Sequence, residues 1–229
     1  MKIQGLQKMT LLDFPGRVAC TVFLGGCDFR CPFCHNGELL DGSAPAIMDD
    51  QELLRFLNGR KGLLDGVAIT GGEPLLRKDL PDLLRAVRAL GFSVKVDTNG
   101  NHPDALEALL KEGLADYIAM DIKNSPEKYA LTVGLSALDL APIQRSVRLL
   151  MDSGIPYEFR TTVVDQLHKA EDFEAIGRWI AGAKAYFLQP FTDRDSVPFA
   201  GLSAPSRENL EKYASISRVY VPYTAIRGL

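Results

Sequence analysis

The chain has 229 residues, 46% of them hydrophobic and 24% charged, with a formal net charge of −3. Its length suits one large α/β domain with material for a packed core, and its weak negative charge gives no global argument for nucleic acid or an anionic membrane. No apolar run approaches the ~20 residues of a membrane span, and Met1-Lys2-Ile3-Gln4-Gly5 lacks a signal peptide's charged head and apolar centre. The expected setting is therefore the cytoplasm, where thiols stay reduced and clustered cysteines read as metal ligands before disulfides.

Residues 10–17 read as a leading loop, with Pro15-Gly16 its turn. Residues 18–24 form a buried strand by β-branched and aromatic content, broken by Gly25-Gly26. A helix follows over 49–57, capped by Asp49 or Asp50. The strand 66–70 ends in Gly71-Gly72-Glu73-Pro74. In the helix 80–90, Leu80, Leu83, Leu84, Val87 and Leu90 make one apolar stripe, and Gly91 ends it. The strand 92–96 ends in Asp97-Thr98-Asn99-Gly100, and a helix spans 103–111. The strand 117–120 ends in Asp121-Ile122-Lys123, and a helix spans 138–151. The strand 157–164 carries Arg160 and leads to a helix over 170–180. The strand 185–188 ends in Gln189-Pro190-Phe191. A last helix over 205–216 and a short strand over 218–223 complete the pattern.

Six strand-then-helix units in this order predict an α/β fold, a partial (β/α)6 barrel with parallel strands. The near-continuous apolar strands agree with burial on both faces. A single domain over 1–229 is expected, with a core at 10–191 and a C-terminal extension at 205–229. The polar residues gather just past the strands' C-terminal ends, which is the rim where such sheets bind ligands.

Three of the four cysteines, Cys27, Cys31 and Cys34, fall within one loop with C-x3-C-x2-C spacing. Thiolates this close can close around one soft metal centre and leave a corner open. A zinc site using His35 as fourth ligand is one alternative, although adjacent Cys34 and His35 would strain a tetrahedron. The run Cys31-Pro32-Phe33-Cys34-His35 also matches the C-x-x-C-H haem attachment pattern, which leaves Cys27 idle. Cys20, inside an apolar strand, reads as a small buried hydrophobe.

The cysteine motif, with Phe33 before its last cysteine, resembles that of the radical S-adenosylmethionine superfamily. Gly71-Gly72-Glu73-Pro74, Asp97-Thr98-Asn99-Gly100 and Met120-Asp121-Ile122-Lys123 follow in that superfamily's order, so the resemblance covers roughly 10–191. Residues 10–16, Gly26-Cys27 and Cys34-His35-Asn36 look like the longer anaerobic ribonucleoside-triphosphate reductase activating proteins, with the pyruvate formate-lyase activating enzyme a cousin. The resemblance implies an oxidoreductase that holds a [4Fe–4S] cluster on Cys27, Cys31 and Cys34. Such an enzyme cleaves S-adenosylmethionine reductively and takes hydrogen from a glycine of a glycyl radical enzyme. Its other partner would be a flavodoxin- or ferredoxin-type electron donor, with no nucleic acid and no membrane. A radical enzyme acting on a small molecule or peptide is the alternative.

The resemblance also distributes roles. Gly71 and Gly72 would let backbone approach the methionine ammonium, or simply form a plain turn, with Glu73 orienting that segment or simply solvated. Asp97 and Lys123 would bind the ammonium and carboxylate, or pair with each other as strand-end ions, and Asn99 belongs to the same set. Arg160 and Gln189 would reach ribose or adenine, and Phe33 the adenine. A monovalent cation would sit on Asp97, Thr98 and Asp121. His102 and His168 are expected to be surface or capping residues.

Overall fold

The computed structural model describes residues 1–228. Its strands are β1 (Lys2–Ile3), β2 (Gly5–Thr10), β3 (Ala19–Leu24), β4 (Met48–Asp49), β5 (Gly66–Gly71), β6 (Ser93–Thr98), β7 (Tyr117–Asp121), β8 (Tyr157–Val163), β9 (Tyr186–Pro190) and β10 (Thr224–Ile226). Its helices are α1 (Asp50–Asn58), α2 (Leu80–Ala89), α3 (Pro103–Lys111), the single turn α4 (Tyr129–Thr132), α5 (Ala141–Asp152), α6 (Ala170–Trp179) and α7 (Arg207–Arg218).

Eight strands form one sheet in the order β10, β9, β8, β7, β6, β5, β3, β2. Among them β2 alone runs antiparallel, pairing Leu6 with Val22; β3 and β5 through β10 are parallel neighbours, while β1 and β4 pair antiparallel as a separate two-stranded sheet. The helices return the chain between parallel strands, as the alternating pattern predicts. The result is an α/β fold with a mostly parallel sheet that stays open between β2 and β10.

The helices begin and face inward for local reasons. Asp49 caps α1 by accepting from the Glu52 amide at 2.8 Å, while Glu52 accepts from the Asp49 amide at 2.9 Å, a reciprocal capping box. Leu80, Leu83, Leu84 and Val87 of α2 are buried, as the stripe predicts. Near the C-terminus, Phe173 of α6 stacks on Tyr213 of α7 at 4.5 Å, which fixes the last helix against the body.

Two departures from the sequence reading have clear causes. The strands β1 and β2 went unrecognised because an edge strand with exposed Gln7, Lys8 and Met9 lacks the apolar alternation that signals burial. The final strand lies at 224–226 rather than 218–223, because α7 continues through Arg218 and a turn takes up 219–223. In the loop over 11–17, Phe14 is buried and packs on Gly66 and Tyr117, closing the N-terminal end of the sheet.

Candidate active site

All of the predicted site residues line one cleft of about 210 Å³ at the C-terminal ends of β3 and β5–β9. On one wall, Cys27, Cys31 and Cys34 present free thiols from the loop after β3. That loop is pinned along its length. The Gly26 amide donates to the Leu39 carbonyl at 2.7 Å and the Cys27 amide to that of Leu40 at 3.0 Å. The Arg30 guanidinium donates back to the carbonyls of Cys27 (2.6 Å) and Phe29 (2.8 Å), and Phe29 and Phe33 are buried beneath. Burial pushes Cys27 up to about 12 and Cys31 up to about 11, and raises Cys34. Such thiols hold their protons until a metal displaces them.

Among the described residues, no three His, Cys, Asp or Glu side chains converge on a single ion. Three free thiols on one loop that lines the cleft, with no fourth protein ligand among them, suit a cluster that keeps one iron free of protein. His35 is not with them. Its ring stacks on Phe191 at 5.6 Å and its Nε2–H donates to the Thr192 carbonyl at 2.8 Å. Cys20 is fully buried in β3, as expected.

The glycines of the next segment are dictated by neighbouring backbone. Gly71 has φ +118°, and a Cβ there would lie 2.4 Å from the Leu24 carbonyl oxygen. At Gly72 a Cβ would lie 2.0 Å from the Gly26 carbonyl oxygen. That closeness lets the Gly72 amide donate to Leu24 (2.7 Å) and the Glu73 amide to Gly26 (2.8 Å), which welds the strand end to the cysteine loop. Asn36 adds a bond from its side-chain amide to the Gly71 carbonyl at 2.9 Å. Of the two roles expected for these glycines, ligand approach or a plain turn, neither includes the chain-to-chain contact that already requires them.

Glu73 is not solvated: its residue is 1% exposed. One carboxylate oxygen accepts from the Leu75 amide (3.0 Å) and the Thr98 hydroxyl (2.9 Å), the other from the Asn99 amide (2.6 Å). Burial raises its pKa to about 7, and those three donors only partly oppose the rise.

The ends of β6–β8 line the cleft with ions. Asp97 pairs with Lys95 below it on β6 and with Arg160 of β8 at 3.5 Å. Asp121 takes Arg160 Nε at 3.0 Å and Lys123 at 2.8 Å. Asp97 and Lys123 do not pair with each other; Arg160 stands between the two carboxylates. Burial alone would raise Asp121, but Arg160 and Lys123 outweigh it and bring its pKa to about 2. Lys123 also lies 6.0 Å above the Phe33 ring. Thr98 turns to Glu73 instead, and Gln189 sits on β9 beside its register partner Thr162 of β8.

His168 corrects the sequence reading, whereas His102 takes the expected cap position but not a capping bond. His168 is fully buried and donates from Nε2 to the Lys123 carbonyl at 2.9 Å, so it braces the end of β7. His102 occupies the residue before α3, yet its ring makes no capping bond and turns to Asp28 at 3.0 Å. Asp28 also accepts from the side-chain amides of Asn99 (2.8 Å) and Asn101 (2.6 Å). Burial of Asp28 opposes ionisation, but the donors His102, Asn101 and Asn99 prevail and hold its pKa at about 2. Asp28 went unassigned in sequence, although its place directly after Cys27 was a usable signal.

Comparison with known proteins places the chain in a family. The sequence profile of the Radical SAM superfamily matches residues 21–180. A putative glycyl-radical enzyme activating enzyme of Methanocaldococcus jannaschii is 30% identical over 239 residues, covering 99% of this chain and 96% of that one. The pyruvate formate-lyase-activating enzyme of Clostridium pasteurianum is 33% identical over 128 residues, 54% of this chain and 52% of its own. Streptococcus suis SuiB superposes with a TM-score of 0.71 at 15% identity, over 91% of this chain and 48% of that one. A domain of a pyruvate-formate lyase-activating enzyme from Bacteroides vulgatus gives 0.59 at 19% identity, over 71% of this chain and 99% of that one. Those two likenesses speak for the fold. By the matched profile and the near full-length relative, the chain belongs to the Radical SAM superfamily.

Proposed function

We propose that the protein is an activating enzyme of a glycyl radical enzyme, with an anaerobic ribonucleoside-triphosphate reductase as its partner. The observation that carries this reading is the near full-length similarity to a putative glycyl-radical enzyme activating enzyme. Membership of the superfamily implies a [4Fe–4S] cluster and S-adenosylmethionine. When bound, those groups supply the one-electron reductive cleavage that yields a carbon radical able to abstract hydrogen.

In this reading the chain's own residues bind, orient and exclude water. Cys27, Cys31 and Cys34 hold the cluster. The Gly71–Glu73 segment and Asn99 form a rigid floor to one side of it. Lys123 and Asp97 receive the carboxylate and ammonium of the sulfonium ligand through charge-assisted bonds. Phe33, Arg160 and Gln189 border the nucleoside end. A monovalent cation among Asp97, Thr98 and Asp121 belongs to the same set of expectations. Because Lys95, Arg160 and Lys123 already neutralise the two carboxylates, we assign that role to the protein's own cations. A flavodoxin- or ferredoxin-type protein would supply the electron, in the cytoplasm. No helix among the described residues is long and apolar enough to cross a membrane. The fold core at 10–191 and the extension at 205–229 act as one domain.

The deciding experiment mixes the reduced, reconstituted protein with S-adenosylmethionine and the reductase, and looks for a glycyl radical doublet by electron paramagnetic resonance. No doublet, with cofactor cleavage intact, would redirect the assignment to a small-molecule or peptide substrate. Lys123→Met should weaken S-adenosylmethionine binding by about tenfold or more while iron content is unchanged; equal affinity would remove Lys123 from the ligand set.

A further inference from the structure

We infer that Asp28, held by Asn99, Asn101 and His102, is a positioning residue that sets the reduction potential of the iron–sulfur centre through Cys27. The inference rests on the reading of Cys27 as a cluster ligand. Its carboxylate oxygen Oδ1 lies 3.9 Å from Cys27 Sγ. The same oxygen accepts one N–H of the Asn99 side-chain amide at 2.8 Å, and that amide nitrogen lies 4.0 Å from the same sulfur. The other oxygen, Oδ2, accepts from Asn101 at 2.6 Å and His102 at 3.0 Å. Among the described residues no Lys or Arg pairs with this carboxylate, in contrast to Asp97 and Asp121.

Three groups therefore meet at one sulfur, the third being the Phe29 amide, which donates to it at 3.4 Å. The carboxylate charge disfavours adding an electron to the centre, and the Phe29 and Asn99 N–H groups favour it. They are unequal. A full charge at 3.9 Å outweighs the Asn99 amide contact at 4.0 Å, which is the outer limit of a sulfur hydrogen bond, and the Phe29 amide is backbone that the side-chain variants leave in place. Asp28 thus drives the potential down, and the β6–α3 loop moderates it by supplying Asn101 and His102 to the far oxygen. A residue that merely fastened the loop would give no ordered shift in potential.

The test is a redox titration of the anaerobically reconstituted protein with dithionite, the one-electron state followed by electron paramagnetic resonance. Asp28→Asn removes the charge, and the midpoint should move to a more positive value. His102→Ala removes a donor from the far oxygen while the charge remains, and the midpoint should move to a more negative value. If Asp28→Asn does not take up iron, the direction in His102→Ala decides. Unmoved midpoints in variants with full iron, or shifts of both in the same direction, overturn the inference. A wild-type protein that binds no iron overturns the cluster reading itself, so the two failures are told apart by iron content.

Discussion

The two walls of the cleft are built on different physics. The wall carrying Gly71, Gly72 and the cysteine loop is fixed by backbone fit: amides and carbonyls of two loops interlock, and no side chain can be added at the contact. The wall carrying Asp97, Asp121, Lys123 and Arg160 is fixed by charge compensation among side chains. Steric walls tolerate no single change at the interlock. Charged walls tolerate changes that keep the balance and fail when one partner is lost.

The largest effect should come from the steric side at its chemical centre. Cys31→Ala should lower bound iron well below the about four per chain expected of a cubane and abolish S-adenosylmethionine cleavage; retained cleavage would exclude Cys31 as a ligand. Next, Gly72→Ala should destabilise the fold by about 3 kcal/mol, since neighbouring backbone must move to admit the methyl group. A denaturant midpoint unchanged from wild type would show that the interlock is looser than its distances.

On the charged side, Arg160→Met should cost about 2 kcal/mol, below the range for a fully buried pair because Asp97 and Asp121 border an open cleft. Adding Asp97→Asn should recover part of that loss; a purely additive pair would break the charge-balance account. The smallest effect is a pH dependence. Glu73 is held at about 7 against an ordinary 4.5, so the folded state binds the extra proton and its contribution to stability falls as pH rises from about 4.5 through about 7. In the metal-free protein, Glu73→Gln should flatten that decline; an unchanged pH profile would show that Glu73 is ionised throughout.

The same contrast explains what could be read from the sequence. The strand–helix alternation and the glycine-terminated strands gave the sheet, and the polar residues after each strand gave the cleft, because period and position at strand ends are local properties. The site residues all reached the cleft, yet several partnerships did not announce themselves. Arg160 bridges Asp97 and Asp121 across three neighbouring strands, a contact no linear spacing encodes. His168 looks like any loop histidine until the fold sets its ring under the Lys123 carbonyl. Asp28 was hidden by its own neighbours, since three cysteines in one loop invite attention to sulfur and away from the carboxylate between them. The edge strand β2 escaped because solvent-facing Gln7 and Lys8 erase the alternation on which strand recognition depends.

One consequence follows from the ladder of Lys95, Asp97, Arg160, Asp121 and Lys123. Each rung already has a neighbour of opposite sign, so a zwitterionic guest can be admitted by partner exchange, every ion trading one counterpart for another. The guest's ammonium and carboxylate bring one charge of each sign, so the swap leaves the balance of the ladder unchanged and only the sulfonium's charge is added. The guest's affinity should therefore respond only weakly to added salt, unlike capture by a lone cation or anion standing in water.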